Sequence, residues 1–159
     1  MPRSKIKSIS EIKNIVARLK SKGKSIVFTN GCFDLLHYGH IMFLEKAKDL
    51  GDCLIVAINS DASVRKIKGP RRPIVKQFDR LGMIAGLVSV DYVVLFKEDT
   101  PLKIIKTIKP DILVKGADWK KDKIVGADFL KQYGGKVFNI KLTQGRSTTD
   151  LIRKIVERH

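Results

Sequence analysis

Two histidines three residues apart, His37 and His40, bracket Gly39 at the end of the segment T-N-G-C-F-D-L-L-H-Y-G-H, residues 29–40. Gly31, directly after a β-branched run, permits a sharp turn or a close backbone approach. Gly39 gives tight passage into a helix whose N-terminus favours an anion. Two imidazoles at that place can donate hydrogen bonds to phosphate oxygens, where charge develops during phosphoryl or nucleotidyl transfer. A lone histidine would more simply cap or pack. Two His, two Gly and Asp34 in one post-strand turn shift the reading toward chemistry. The pair lacks the third clustered ligand of a catalytic zinc site, and the turn has neither the G-x-G-x-x-G of dinucleotide folds nor a Walker A pattern.

The elements that must hold this turn alternate along the chain. Glu11 to Lys22 has apolar Ile12, Ile15, Val16 and Leu19 on one helical face, with Ser10 as N-cap and Gly23 as the stop. Ser25 to Asn30 and Cys53 to Ile58 read as buried strands, with a helix from about Gly39 to Leu50 between them. Ser60 to Lys66 reads as a short helix, Lys68 to Pro73 as a loop, Val75 to Leu87 as a helix and Asp91 to Phe96 as a strand. Then come a helix at Pro101 to Ile108 with proline in its first turn, a strand at Asp111 to Lys115, a helix at about Lys123 to Tyr133, a strand at Lys136 to Ile140 and a last helix at Thr148 to Arg158. This predicts an α/β, Rossmann-like fold, a five-stranded parallel sheet with helices on both faces. Ligands of such sheets bind beyond the carboxyl ends of the strands, so the loops after Asn30, Asn59, Phe96, Lys115 and Ile140 are the places to search.

The chain has 159 residues, one domain's worth, with 1–24 forming an N-terminal amphipathic helical segment. Apolar residues make up 43% and charged residues 30%, as in ordinary globular proteins. Cys32 and Cys53 lie in different segments and suggest neither a disulfide scaffold nor a zinc finger. No signal-peptide pattern and no apolar stretch of about 20 residues is present, so a cytoplasmic protein without a membrane span is expected. The unusual quantity is charge: 32 basic against 16 acidic residues, net +16. Residues 1–24 carry eight Lys and Arg against Glu11 alone, and residues 65–80 carry seven against Asp79 alone. A nucleic-acid surface, a site for polyanionic small molecules and a Lys-rich composition without function all accommodate this.

The turn T-N-G-C-F-D-L-L-H-Y-G-H resembles that of the HxGH nucleotidylyltransferase superfamily, and within it the D-glycero-β-D-manno-heptose 1-phosphate adenylyltransferases. Further matching stretches follow in order at residues 47–74, 90–101, 109–119 (K-P-D-I-L-V-K-G-A-D-W) and 145–152 (G-R-S-T-T-D-L-I). Glycerol-phosphate cytidylyltransferases have an arginine three residues before the glycine of their last motif. Leu142 stands there in this chain, which argues against that branch. The resemblance implies transfer of AMP from ATP to heptose 1-phosphate, giving ADP-heptose and pyrophosphate for lipopolysaccharide core or other surface heptose glycans, with Mg²⁺ accompanying ATP and no protein-only metal site. The sugar phosphate oxygen attacks the α-phosphorus in line, so catalysis is mainly positioning and charge neutralisation.

Carried over by the same resemblance, His37, His40, Lys68, Arg80, Ser147 and Thr148 are the expected catalytic residues. Lys66 is the rival of Lys68 in the loop alignment. Nucleotide binding is expected of Thr29, Asn30, Gly31, Cys32, Phe33, Asp34, His37, Gly39, His40, Lys115, Gly116, Asp118, Arg146, Ser147, Thr148 and Thr149. Arg65, Lys68, Arg71 and Arg72 are expected at the substrate phosphate, and Trp119 stacks or packs. The family implies a homodimer and, in fused relatives, a ribokinase-like sugar kinase. Starting at Met1 with no room for a kinase, the chain reads as a stand-alone enzyme, the alternative being a domain cut from such a fusion. Two other functions compete: transfer to another phosphorylated acceptor such as FMN or a polyol phosphate, and basic nucleic-acid binding. The latter lacks the interleaved aromatic platform of single-strand binders.

Overall fold

The computed structural model describes residues 2–116, 123–141 and 148–158. After one 3-10 turn at Pro2–Lys5 come β1 (Ile6–Lys7), α1 (Ile9–Lys20), β2 (Ile26–Gly31), α2 (Tyr38–Lys48) and β3 (Cys53–Asn59). Then follow α3 (Asp61–Lys68), α4 (Gln77–Ala85), β4 (Tyr92–Phe96), α5 (Leu102–Ile108), β5 (Ile112–Gly116), α6 (Ala127–Lys131), β6 (Lys136–Ile140) and α7 (Thr148–Arg158). All strand pairs are parallel, in the order β1-β4-β3-β2-β5-β6. The sheet therefore has six strands, not the five expected. The extra one, β1, is two residues paired with Val93 and Val94. So short a segment in a basic stretch has no period to read, and it is a strand only because β4 presents an edge to it.

Alternation in β2 and β3 divides the core into two layers. Ile26, Phe28, Cys53, Ile55 and Ala57 face α1, α5 and α6, while Val27, Leu54, Val56 and Ile58 face α2 and α4. β3 is buried at every residue, as expected of a central parallel strand covered on both sides. α1 begins earlier than the spacing suggested. Ser8, not Ser10, is its N-cap, and Ser8 and Glu11 form a reciprocal capping box. α3 runs through Lys68, so that residue ends a helix and does not open the loop. α4 and α6 are shorter than expected, at nine and five residues.

One consequence of the strand order positions everything else. From β2 the chain steps to β3 and β4 on one side, then returns to place β5 on the other. The crevice at the carboxyl ends of β2 and β5 is therefore the point where strand order reverses, the binding place in open α/β sheets.

Candidate active site

β2 ends at that crevice with Thr29, Asn30 and Gly31. Thr29 is fully buried, and its hydroxyl donates to the Val114 carbonyl at 2.9 Å, so it ties β2 to β5. Lys115 completes the link with Nζ donating to the Asn30 carbonyl at 3.0 Å. The Asn30 Oδ1 atom is buried without a hydrogen-bond partner among the described residues.

Beyond Gly31 the backbone folds back sharply. Phe33 adopts a left-handed φ of 47°, a conformation costing about 1 kcal/mol for a bulky residue. Its ring lies so near Gly31 that a Cβ there would meet it at 3.0 Å. Any other residue at position 31 would press on the Phe33 ring, which would have to give by a few tenths of an ångström. Phe33 is buried against His40, ring centroids 5.2 Å apart.

Two buried charges brace the turn from behind. Asp34 accepts from the N–H groups of Ile74 (2.9 Å) and Val75 (2.8 Å) and from Arg72 Nε (2.5 Å). Burial alone would raise its carboxyl. The two N–H donors and the Arg72 guanidinium outweigh burial and hold it below the ordinary carboxylate range. Arg80 is fully buried and donates from Nε to Val75 O (3.0 Å), from Nη1 to Cys32 O, and from Nη2 to Asn59 O and Asp61 Oδ1 (both 2.8 Å).

His37 is the N-cap residue of α2, its side chain making no cap bond, and its carbonyl accepts from His40 N at 2.9 Å. That leaves both imidazoles at the N-terminus of the helix. They stack with centroids 3.8 Å apart and planes 22° from parallel. Both Nδ1 atoms are buried without a hydrogen-bond partner among the described residues. Burial, reinforced by the His37 ring, pushes His40 down to about 4, and burial also lowers His37. Both rings are therefore neutral donor–acceptor groups at pH 7.

The cytidylyltransferase-like family profile matches residues 28–154. The chain belongs to the cytidylyltransferase-like family. It is 49% identical over 156 residues to the bifunctional protein HldE of Syntrophotalea carbinolica and 50% identical over 156 residues to that of Trichlorobacter lovleyi. Each alignment covers 98% of this chain and 32% of the relative, so the chain spans about a third of the length of these curated relatives. A solved structure described as a lipopolysaccharide core biosynthesis protein from Thermoplasma volcanium superposes with a TM-score of 0.62 at 32% identity. It covers 76% of this chain and 98% of its own.

In this cytidylyltransferase-like chain the turn and the end of β5 beside it gather half of the residues expected at a nucleotide: Asn30, Gly31, Cys32, Phe33, His37, Gly39, His40 and Lys115. Gly116 ends β5 beside Ile140. Arg72 reaches the turn through Asp34, whereas Arg65 and Arg71 are exposed on the flanking segments. Lys68 is exposed, and its charge is felt at the Cys32 thiol, which burial chiefly raises. Its rival Lys66 pairs outward with Asp99 at 2.8 Å. Arg80 meets four of its five donors with protein groups and has no exposed surface at which a phosphate could reach the fifth. Thr148 and Thr149 open α7. Asp118, Trp119, Leu142, Arg146 and Ser147 lie outside the described residues.

Sequence reasoning missed Asp61, the partner of Arg80, and the peptide N–H groups of Ile74 and Val75. Asp61 shows in the chain only as a first-turn acid after the N-cap Ser60, which reads as helix initiation. Among the described residues, no group of three or more His, Cys, Asp or Glu side chains could hold a metal ion. None of the described helices is long and apolar enough to cross a membrane.

Proposed function

We propose that this chain transfers AMP from ATP to D-glycero-β-D-manno-heptose 1-phosphate, giving ADP-heptose and pyrophosphate for surface heptose glycans such as lipopolysaccharide core. The observation that carries the reading is the stacked His37–His40 pair at the start of α2, with two buried, unpartnered Nδ1 atoms beside a glycine turn at the reversal point of the sheet. The relatives named HldE, and the T-N-G-C-F-D wording with Leu142, support the heptose branch over the cytidylyl one.

A sugar phosphate oxygen forms the new bond to the α-phosphorus as the bond from that phosphorus to the α–β bridging oxygen breaks, its electron pair leaving with pyrophosphate. No protein nucleophile takes part, and the half-buried Cys32 thiol, raised by desolvation, stays protonated. Orphaned buried N–H groups are rarer than unpartnered acceptors, so the unpartnered Nδ1 atoms favour the tautomer of each neutral imidazole with its proton on Nε2. Both Nε2–H groups then donate to the phosphates, with the N-terminus of α2 adding its own field. Lys68, Arg71 and Arg72 neutralise the acceptor phosphate, the task to which the 65–80 basic block is put.

Mg²⁺ would come with ATP and would neutralise phosphate charge there; Asp34, committed to its N–H donors and Arg72, would not be free to hold it. The homodimer and the cytoplasmic location belong to the same proposal; sedimentation equilibrium tests the former. The assay for the reaction is pyrophosphate release from ATP with heptose 1-phosphate, with CTP, FMN and polyol phosphates alongside. Turnover is expected with ATP and the heptose phosphate, and its absence would remove the substrate assignment.

A further inference from the structure

A guanidinium with no exposed surface is an expensive thing to bury unless its charge is paired and its donors are met. Arg80 meets four of its five N–H donors, and the acceptors come from three separate places at the carboxyl edge of the sheet. Cys32 O belongs to the turn after β2, Asn59 O and Asp61 Oδ1 to the corner between β3 and α3, and Val75 O to the segment leading into α4. The Val75 peptide is gripped from both sides, since its N–H donates to Asp34 while its carbonyl accepts from Arg80. The result is a closed circuit from Cys32 through Arg80 and Val75 back to Asp34, two residues along the same turn. The Gln77 side chain adds a strut, Oε1 accepting from the Asp61 N–H at 2.9 Å.

We propose that Arg80 is a positioning residue: held away from substrate, it fixes the Cys32–Asp34 turn against the segment that carries Arg71 and Arg72, so that the nucleotide and the acceptor phosphate are presented in one geometry. This deepens the function proposed above and replaces the phosphate contact that resemblance implies for Arg80. The chemistry separates the two roles. A phosphate contact needs a positive charge near the anion, which lysine retains. A clamp needs a planar fork of donors aimed at four acceptors, which lysine cannot supply. Positioning also acts over small distances, because slight displacement of reacting groups costs large factors in rate.

The experiment compares Arg80→Lys and Arg80→Met with Asp61→Asn, which removes one anchor and leaves the arginine in place. Folding is checked by melting, kinetics by the KM for ATP and kcat, and the turn by amide hydrogen exchange of residues 31–36. The two Arg80 variants are expected to raise the KM for ATP at least tenfold and to lower kcat/KM about a hundredfold, lysine no better than methionine within threefold. Asp61→Asn is expected to give an intermediate loss, with exchange in the turn about tenfold faster and unchanged in β3. A mere loss of folded protein would lower kcat without moving KM.

Near-normal activity in Arg80→Lys alone would overturn the proposal in favour of direct contact. Normal KM and turn exchange in folded variants would overturn it outright. Should the Arg80 variants not fold, Asp61→Asn still decides, a normal KM and normal turn exchange counting against the proposal. The exchange measurement needs no substrate, so it stands even if the wild-type chain shows no turnover with heptose 1-phosphate, the result that would defeat the substrate reading instead.

Discussion

His37 and His40 lie ring over ring, their centroids 3.8 Å apart. Two positive charges at that separation would repel by about 1 kcal/mol in water and about 4 kcal/mol at an effective dielectric of 20. Burial already disfavours the charged form of each. The unliganded pair is therefore neutral at pH 7, and a phosphate chain laid against it supplies the negative charge that makes protonation of one ring favourable. Chemistry and stability both follow from this arrangement.

Replacing either ring by alanine removes a donor aimed at developing charge. His37→Ala and His40→Ala are each expected to lower kcat by about a hundredfold or more, about 3 kcal/mol of transition-state stabilisation. Steady-state kinetics and circular dichroism check this; a folded variant of either kind with near-normal kcat would count against a role for that ring.

The same burial makes stability depend on pH. The His40 value is pushed down from 6.5 to about 4. As pH falls below 6.5 the unfolded chain takes up this proton first, so stability that is present above that value drains away down to about pH 4. The loss attributable to His40 is up to about 3 kcal/mol. Urea unfolding between pH 7.5 and 4 should show this slope in the wild type and a flatter one in His40→Gln.

Asp34 should act on the acceptor side although it belongs to the nucleotide turn. Asp34→Asn weakens its acceptance from the peptide N–H groups of Ile74 and Val75 and from Arg72, at a cost of about 2–4 kcal/mol. Thermal unfolding should show the loss. The KM for the sugar phosphate should rise more than that for ATP, because the segment bearing Arg71 and Arg72 is what comes loose.

Lys68 and Lys66 make an internal control. The exposed Lys66–Asp99 pair, with both side chains 67% exposed, is worth little. Lys66→Ala should leave stability within about 0.5 kcal/mol and kcat/KM within threefold. Lys68→Ala should lower kcat/KM at least thirtyfold. Equal effects would mean that the register of the basic block has been misassigned.

Much of this was legible in the chain because it is local. The alternation of Ile26, Val27 and Phe28 with their counterparts in β3 encodes a two-sided sheet, and Gly31, His37 and His40 announce the turn. What was not legible depends on distant partners. β1 exists through Val93 and Val94, the Asp34 carboxylate is used up by Arg72, Ile74 and Val75, and Arg80 is buried by three loops that only the tertiary fold assembles. Resemblance implies a phosphate ligand at Arg80, in keeping with the usual pairing of arginine and phosphate. Its burial and its four bonds to protein groups support the positioning role proposed above. The Ser8 capping box was visible in principle as Ser followed three residues later by Glu, but Ser10 is the nearer candidate to the apolar face.

The central claim is transfer of the α-phosphoryl group, and the label in that group tests it most directly. With α-³²P-ATP and heptose 1-phosphate, radioactivity should move into a product with the mobility of ADP-heptose, in step with pyrophosphate release and only when the heptose phosphate is present. Label remaining in ATP, or appearing as AMP irrespective of the acceptor, would contradict it.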